Sequence, residues 1–162
     1  MLIFADPPYA QRFEAYPRDM TKGSGSQTVT LDIATRFEML DIAQTVLSQL
    51  CKVVGFEEEV SHYMAVAVRE SLVNAMKHGN GQDESKRVEM VFTLGDGWIE
   101  VQVKDQGEGF RPEEIPDPLA PENLLKAYGR GIFFMRQFMD EVTYSFPKRG
   151  GTVVRMLKKI PA

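Results

Sequence analysis

Three short stretches of the chain carry residue types that can do chemistry. In "VRESLVNAMKHGN", Val68 to Asn80, the residues Glu70, Asn74 and His78 follow one another at four-residue steps. A helical turn of about 100° per residue brings Glu70 and Asn74 together at the margin of the apolar stripe, with Lys77 nearby, and puts His78 on the apolar side. A carboxylate there can accept a proton, and the amide oxygen one turn away is a neutral, hard donor suited to Mg²⁺. In "VKDQGEGF", Gly107 and Gly109 let the backbone turn and approach a flat ligand closely, while Asp105 can accept a hydrogen bond from an amino group such as that of adenine. In "YGRGIFFM", Gly129 and Gly131 open an apolar helix whose unpaired amides and dipole would face an anion, and Arg130 and Lys126 are available to pair with phosphate.

Each stretch alone also has an ordinary structural reading. The first is then a solvated helix edge with His78 capping a carbonyl, the second a glycine turn in which Asp105 bonds its own backbone, and the third a helix end and restart. Their occurrence together and in this order, with a proline-rich segment between the second and third, argues for one site.

The elements that must position these residues follow from periodicity. From Thr28, Val29, Leu31 and Ile33 alternate with polar residues as in a half-buried strand. Residues 36–54 place Phe37, Leu40, Ile42, Ala43, Val46, Leu47, Leu50 and Val54 at helical spacing, and Gly55 stops the helix. A second helix opens with the carboxylates after Phe56, which favour the positive end of a helix dipole, and runs to Gly79. "RVEMVFTL" and "WIEVQVKD" flank Gly95-Asp96-Gly97 and predict an antiparallel hairpin. Residues 110–129 hold Pro112, Pro116, Pro118 and Pro121 and predict a long loop. A helix over "IFFMRQFM" and a strand pair, "EVTYSF" with "GTVVRMLKK", complete the order. This is not a βαβ alternation. It predicts an α+β fold, a two-layer α/β sandwich with a mixed, mostly antiparallel sheet and helices on one face. Residues 1–26, with Pro7, Pro8, Pro17 and a Gly/Ser end, read as a flexible tail, and 27–162 as one domain.

Composition narrows the function classes. With 43% apolar and 26% charged residues the 162-residue chain has the balance of a soluble globular protein. Its net charge of −4 provides no overall positive field for nucleic acid or an anionic membrane. Cys51 is the only cysteine, which excludes an internal disulfide and fits a cytoplasmic setting. No run approaches the roughly 20 apolar residues of a membrane helix, and the start lacks the regions of a signal peptide.

The boxes "ESLVNA", "DQGEGF" and "GRGI" resemble the ATP-binding domain shared by gyrase-like topoisomerases, heat-shock chaperones, histidine kinases and mismatch-repair ATPases. Within it, "ESLVNAMKHGN", "GIFFMRQFMDEV" and "GGTVVRMLKK" are similar to the anti-sigma-factor serine kinases of the RsbW type, over residues 28–159. The resemblance implies that fold, and ATP with Mg²⁺ as ligands. It makes Glu70 the general base, Asn74 the Mg²⁺ ligand and Asp105 the partner of the adenine amino group. Gly107 and Gly109 would frame the adenine pocket, Gly129 and Gly131 would bring backbone amides to the phosphates, and Thr152 would line the base pocket. Lys77, His78, Phe110 and Ile132 fall within the same nucleotide boxes, and residues 111–128 would be the lid. From charge and place, Lys126 and Arg130 are the candidates for the γ-phosphate. The function implied is an ATP-dependent protein serine/threonine kinase that sequesters a sigma factor and phosphorylates its antagonist, working as a homodimer without nucleic acid or membrane. The alternative is a regulatory module that binds ATP and transfers nothing.

Overall fold

A computed structural model describes residues 25–109 and 127–161, of which residues 127–130 are described by backbone alone. The expected tail and most of the expected loop therefore lie outside the described residues. Strand β1 (Gln27–Ala34) leads into α1 (Met39–Val54) and α2 (Glu58–Asn74). The hairpin β2 (Arg87–Gly95) and β3 (Trp98–Lys104) follows, then α3 (Ala127–Phe138) and the hairpin β4 (Glu141–Ser145) and β5 (Val153–Lys159).

The five strands form one sheet in the order β1-β2-β3-β5-β4. Among the described residues every pairing is antiparallel, where a mixed, mostly antiparallel sheet was expected. A parallel pair would need β4 directly beside β3. The β4–β5 hairpin instead folds β5 into that place, so Lys104 at the end of β3 faces Val153 at the start of β5. The segment leaving β3 and the segment entering β5 thus emerge side by side at one end of the sheet.

Alternate strand residues meet the helices in a single core. Val88, Met90, Phe92 and Leu94 of β2 and Ile99, Val101 and Val103 of β3 pack with Leu40, Ala43, Leu47, Met64, Val68, Leu72 and Met135 of the helices. Each such side chain contributes about 1.5–3 kcal/mol by leaving water. The helix α1 begins at Met39, later than its periodicity suggested, and closes on Gly55 in the left-handed conformation, φ 96°, whose amide donates to the Cys51 carbonyl. Cys51 lies in its buried stripe, whereas Phe37 and Ile42, which the periodicity counted as apolar positions, are exposed.

The end of α2 departs from expectation. From Ala75 to Gly79 the helix widens into one π turn, and the Asn80 amide donates to the Ala75 carbonyl five residues back, at 2.7 Å. A wider turn advances less than 100° per residue, so the side chains beyond it fall behind the α-helical projection. His78, expected on the apolar side, is exposed for this reason.

Candidate functional site

Asp105, the first residue after β3, is 5% exposed. Its amide donates to the Thr152 carbonyl at 3.1 Å. In return its Oδ1 accepts the amides of Gly107 at 2.9 Å and Thr152 at 3.1 Å. Oδ2 has no hydrogen-bond partner among the described residues. Burial raises the carboxyl above its ordinary 3.8, opposed by those two amides and by the charge of Lys86. A buried carboxylate with one oxygen anchored and the other without a partner among the described residues can accept a hydrogen bond from an N–H donor.

Glycines make that burial possible. A Cβ at Gly79 would fall 2.3 Å from Asp105 Oδ2, one at Gly107 would fall 2.1 Å from the Gly79 carbonyl, and one at Gly151 would fall 2.3 Å from the Asp105 carbonyl. Gly109 and Gly151 hold φ of +80° and +85°, a region that side chains disfavour. The Gly151 amide closes the ring by donating to the Gly107 carbonyl at 2.7 Å. The end of α2, the exit of β3 and the entry to β5 are thereby packed backbone to backbone around one carboxylate.

At the other end of the same helix segment, Glu70 is half-buried and faces α3: its Oε2 lies 2.6 Å from where a Cβ on Gly131 would stand. From Glu70 to Gly79 the helix rises roughly 13 Å, with Asn74 between them. Asn74 is half-buried, and its side chain makes no hydrogen bond to another described residue, which leaves the amide oxygen available as a hard donor. That donor chemistry fits Mg²⁺.

The remaining expected residues are distributed unevenly. Thr152 is buried and engaged with Asp105 through its backbone. The described part of α3 runs from Ala127, so Gly129 is its third described residue. Gly131 lies deeper than expected, as the fifth residue of the helix, where amides bond within it. Its place against Glu70, and not a free amide, is what the structure assigns to it. Ile132 is half-buried against the core. Lys77 is exposed, with its ammonium 5.8 Å from the centre of the Phe37 ring. Phe110 and Lys126 lie outside the described residues, as does the side chain of Arg130. Local spacing marks Gly79 only as a helix end and Gly151 only as the start of a strand, and it gives Asn80 no role. "HG" after a helix and "RGG" before a strand were the available signals.

The family model of the histidine kinase-like ATPase domain matches residues 33–158. The chain is similar to serine-protein kinase RsbW of Oceanobacillus iheyensis, 28% identical over 138 residues that cover 82% of this chain and 86% of that protein. It is similar also to serine-protein kinase RsbW of Staphylococcus epidermidis, 29% identical over 130 residues, with 76% and 80% covered. The Listeria monocytogenes protein of that name is 25% identical over 138 residues, with 82% and 87% covered. Among solved structures, the RsbU and RsbW domains of a Mycobacterium tuberculosis protein share the fold with a TM-score of 0.60 at 16% identity, over 84% of this chain and 34% of that one. With its antiparallel sheet, its glycine-ringed carboxylate and a family match that runs from the end of β1 through β5 and takes in α1, α2 and α3, the chain belongs to the histidine kinase-like ATPase domain family.

Proposed function

We propose that this chain is an ATP-dependent protein serine/threonine kinase that phosphorylates an antagonist protein and, by exchanging that antagonist for a sigma factor, acts as an anti-sigma factor in bacterial partner switching. One observation carries the reading: Asp105, buried and clasped by glycines, has no partner on Oδ2 among the described residues at one end of the α2 segment, while Glu70 stands against α3 at the other. Asp105 accepts a hydrogen bond from the adenine amino group, and the close backbones of Gly107 and Gly109 admit the flat base. The triphosphate extends toward the Gly129 end of α3, with Lys126 and Arg130 supplying cationic charge. Asn74 would hold Mg²⁺, whose charge offsets that of the phosphates when it is bound. Glu70 accepts the proton of a protein serine or threonine hydroxyl as that oxygen bonds to the γ-phosphorus. The bond from the γ-phosphorus to the bridging oxygen breaks, and ADP leaves with the electron pair.

The names of the relatives, serine-protein kinase RsbW, support the transfer chemistry. Resemblance to that type supports sigma factor and antagonist as partners and a homodimer as the working form. The test is incubation with γ-labelled ATP and the candidate antagonist. Wild type is expected to label a hydroxyl of the antagonist, and Glu70→Gln is expected to bind ATP normally while transfer falls about 10²–10⁴-fold, the usual worth of a general base. ATP bound tightly with no label moved would leave a regulatory module, and equal transfer by Glu70→Gln would take Glu70 out of the base role.

A further inference from the structure

Asn80, directly after Gly79, is 1% exposed, and each of its polar groups is engaged. Its amide donates to the Ala75 carbonyl at 2.7 Å, and its carbonyl accepts the Asp83 amide at 3.2 Å. Nδ2 donates to Thr35 Oγ1 at 2.8 Å and to the Arg87 carbonyl at 3.0 Å. Oδ1 accepts the Gln106 amide at 2.7 Å. The orientation has no alternative: a backbone amide can only donate and a carbonyl can only accept, so the carboxamide cannot be turned over. Gln106 answers with its own side chain, whose Oε1 accepts the Arg87 amide at 2.8 Å. Thr35 in turn donates its hydroxyl to the Lys86 carbonyl at 2.7 Å.

One carboxamide therefore ties the end of α2 to the segments after β1 and at the start of β2, and to the residue beside Asp105. Gly79 and Asn80 work as a pair. The glycine admits the Asp105 carboxyl, and the asparagine holds the next residue of that turn at a set depth. We propose that Asn80 is a positioning residue for base recognition, fixing the Asp105–Gly107 turn against Gly79 so that Asp105 Oδ2 meets the purine amino group. The inference rests on the site being an adenine nucleotide site. Without the Asn80 amide oxygen, Asp105 keeps its bonds from Gly107 and Thr152 and Gln106 keeps its side-chain bond to Arg87, but the Gln106 backbone amide loses its partner, and the carboxylate loses its fixed approach. Discrimination between bases falls more than affinity for the diphosphate.

The test is calorimetry of the full chain with ADP and with GDP, for wild type, Asn80→Ala and Thr35→Val, each checked for folding by thermal melting without nucleotide. Wild type is expected to prefer ADP. The preference is expected to fall about tenfold in Asn80→Ala, the worth of one buried hydrogen bond. Thr35→Val, which removes one acceptor of Nδ2 and leaves the bond to Gln106, is expected to lower it about threefold, and it decides the matter if Asn80→Ala does not fold. A residue that only supports the fold would weaken ADP and GDP by a common factor. An unchanged ratio in either folded variant overturns the assignment alone, whereas a folded wild type that binds no adenine nucleotide removes the proposed function as well.

Discussion

Asp105 has its two oxygens in different surroundings, and the difference makes a substitution informative. Because Gly107 and Thr152 hold Oδ1 with amides, an asparagine here would keep its oxygen on that side and turn its NH₂ to where Oδ2 stands. A donor would then face the donor of adenine. Asp105→Asn is expected to lose at least about tenfold in ADP affinity, as a buried unpaired donor costs about 1–3 kcal/mol, with calorimetry as the check. The same substitution tests a pH dependence. Burial raises the native Asp105 carboxyl above its ordinary 3.8, so the native state holds this proton more tightly than the unfolded chain. Its contribution to stability is full below the ordinary carboxylate range and is lost as pH rises through the raised native value. The melting temperature of wild type relative to Asp105→Asn should therefore decline as pH rises toward neutrality, and parallel curves would contradict the burial argument. If Asn74 holds Mg²⁺ as proposed, Asn74→Ala is expected to abolish the gain in ATP affinity that Mg²⁺ confers while leaving metal-free ADP binding within about threefold, since in that role only the metal would join the side chain to the phosphates.

At the scale of elements, α2 is the spine of the site, and its two glycine contacts differ in kind. A Cβ on Gly131 would meet Glu70 Oε2, the far end of a flexible side chain that can swing away. Gly131→Ala is expected to fold and to keep ADP affinity while slowing phosphoryl transfer at least about tenfold, because a misplaced base loses its geometry. A Cβ on Gly79 would meet a carboxyl group pinned by two amides, within 2.3 Å. Gly79→Ala should therefore reduce nucleotide binding itself, and the two kinetic profiles, read side by side, distinguish these outcomes. The helices and strands were legible because their periodicities are strong. The π turn was not, since "NAMKHGN" has the spacing of an ordinary helix and nothing in that spacing marks the extra residue of the wider turn.

For the whole molecule, nucleotide binding and folding should be linked, because the site is assembled from segments that meet only in the native state. ADP at about 100 times its dissociation constant adds about 2.7 kcal/mol, a rise in melting temperature of roughly 5–10 °C for a domain of this size. A melt unmoved by ADP would mean that the assembled site is not a nucleotide site. The three boxes could be read directly because each depends on residues near one another in the chain: a carboxylate one turn from an amide, a glycine turn after a strand, glycines opening a helix. Tertiary structure alone decided that Gly79 leaves room for Asp105, that Gly151 does the same from the far side, that Asn80 bonds the Gln106 amide across 26 positions, and that Gly131 faces Glu70. A missing side chain or a filled carboxamide is demanded by the atoms of a distant neighbour, and local spacing holds no record of who that neighbour will be.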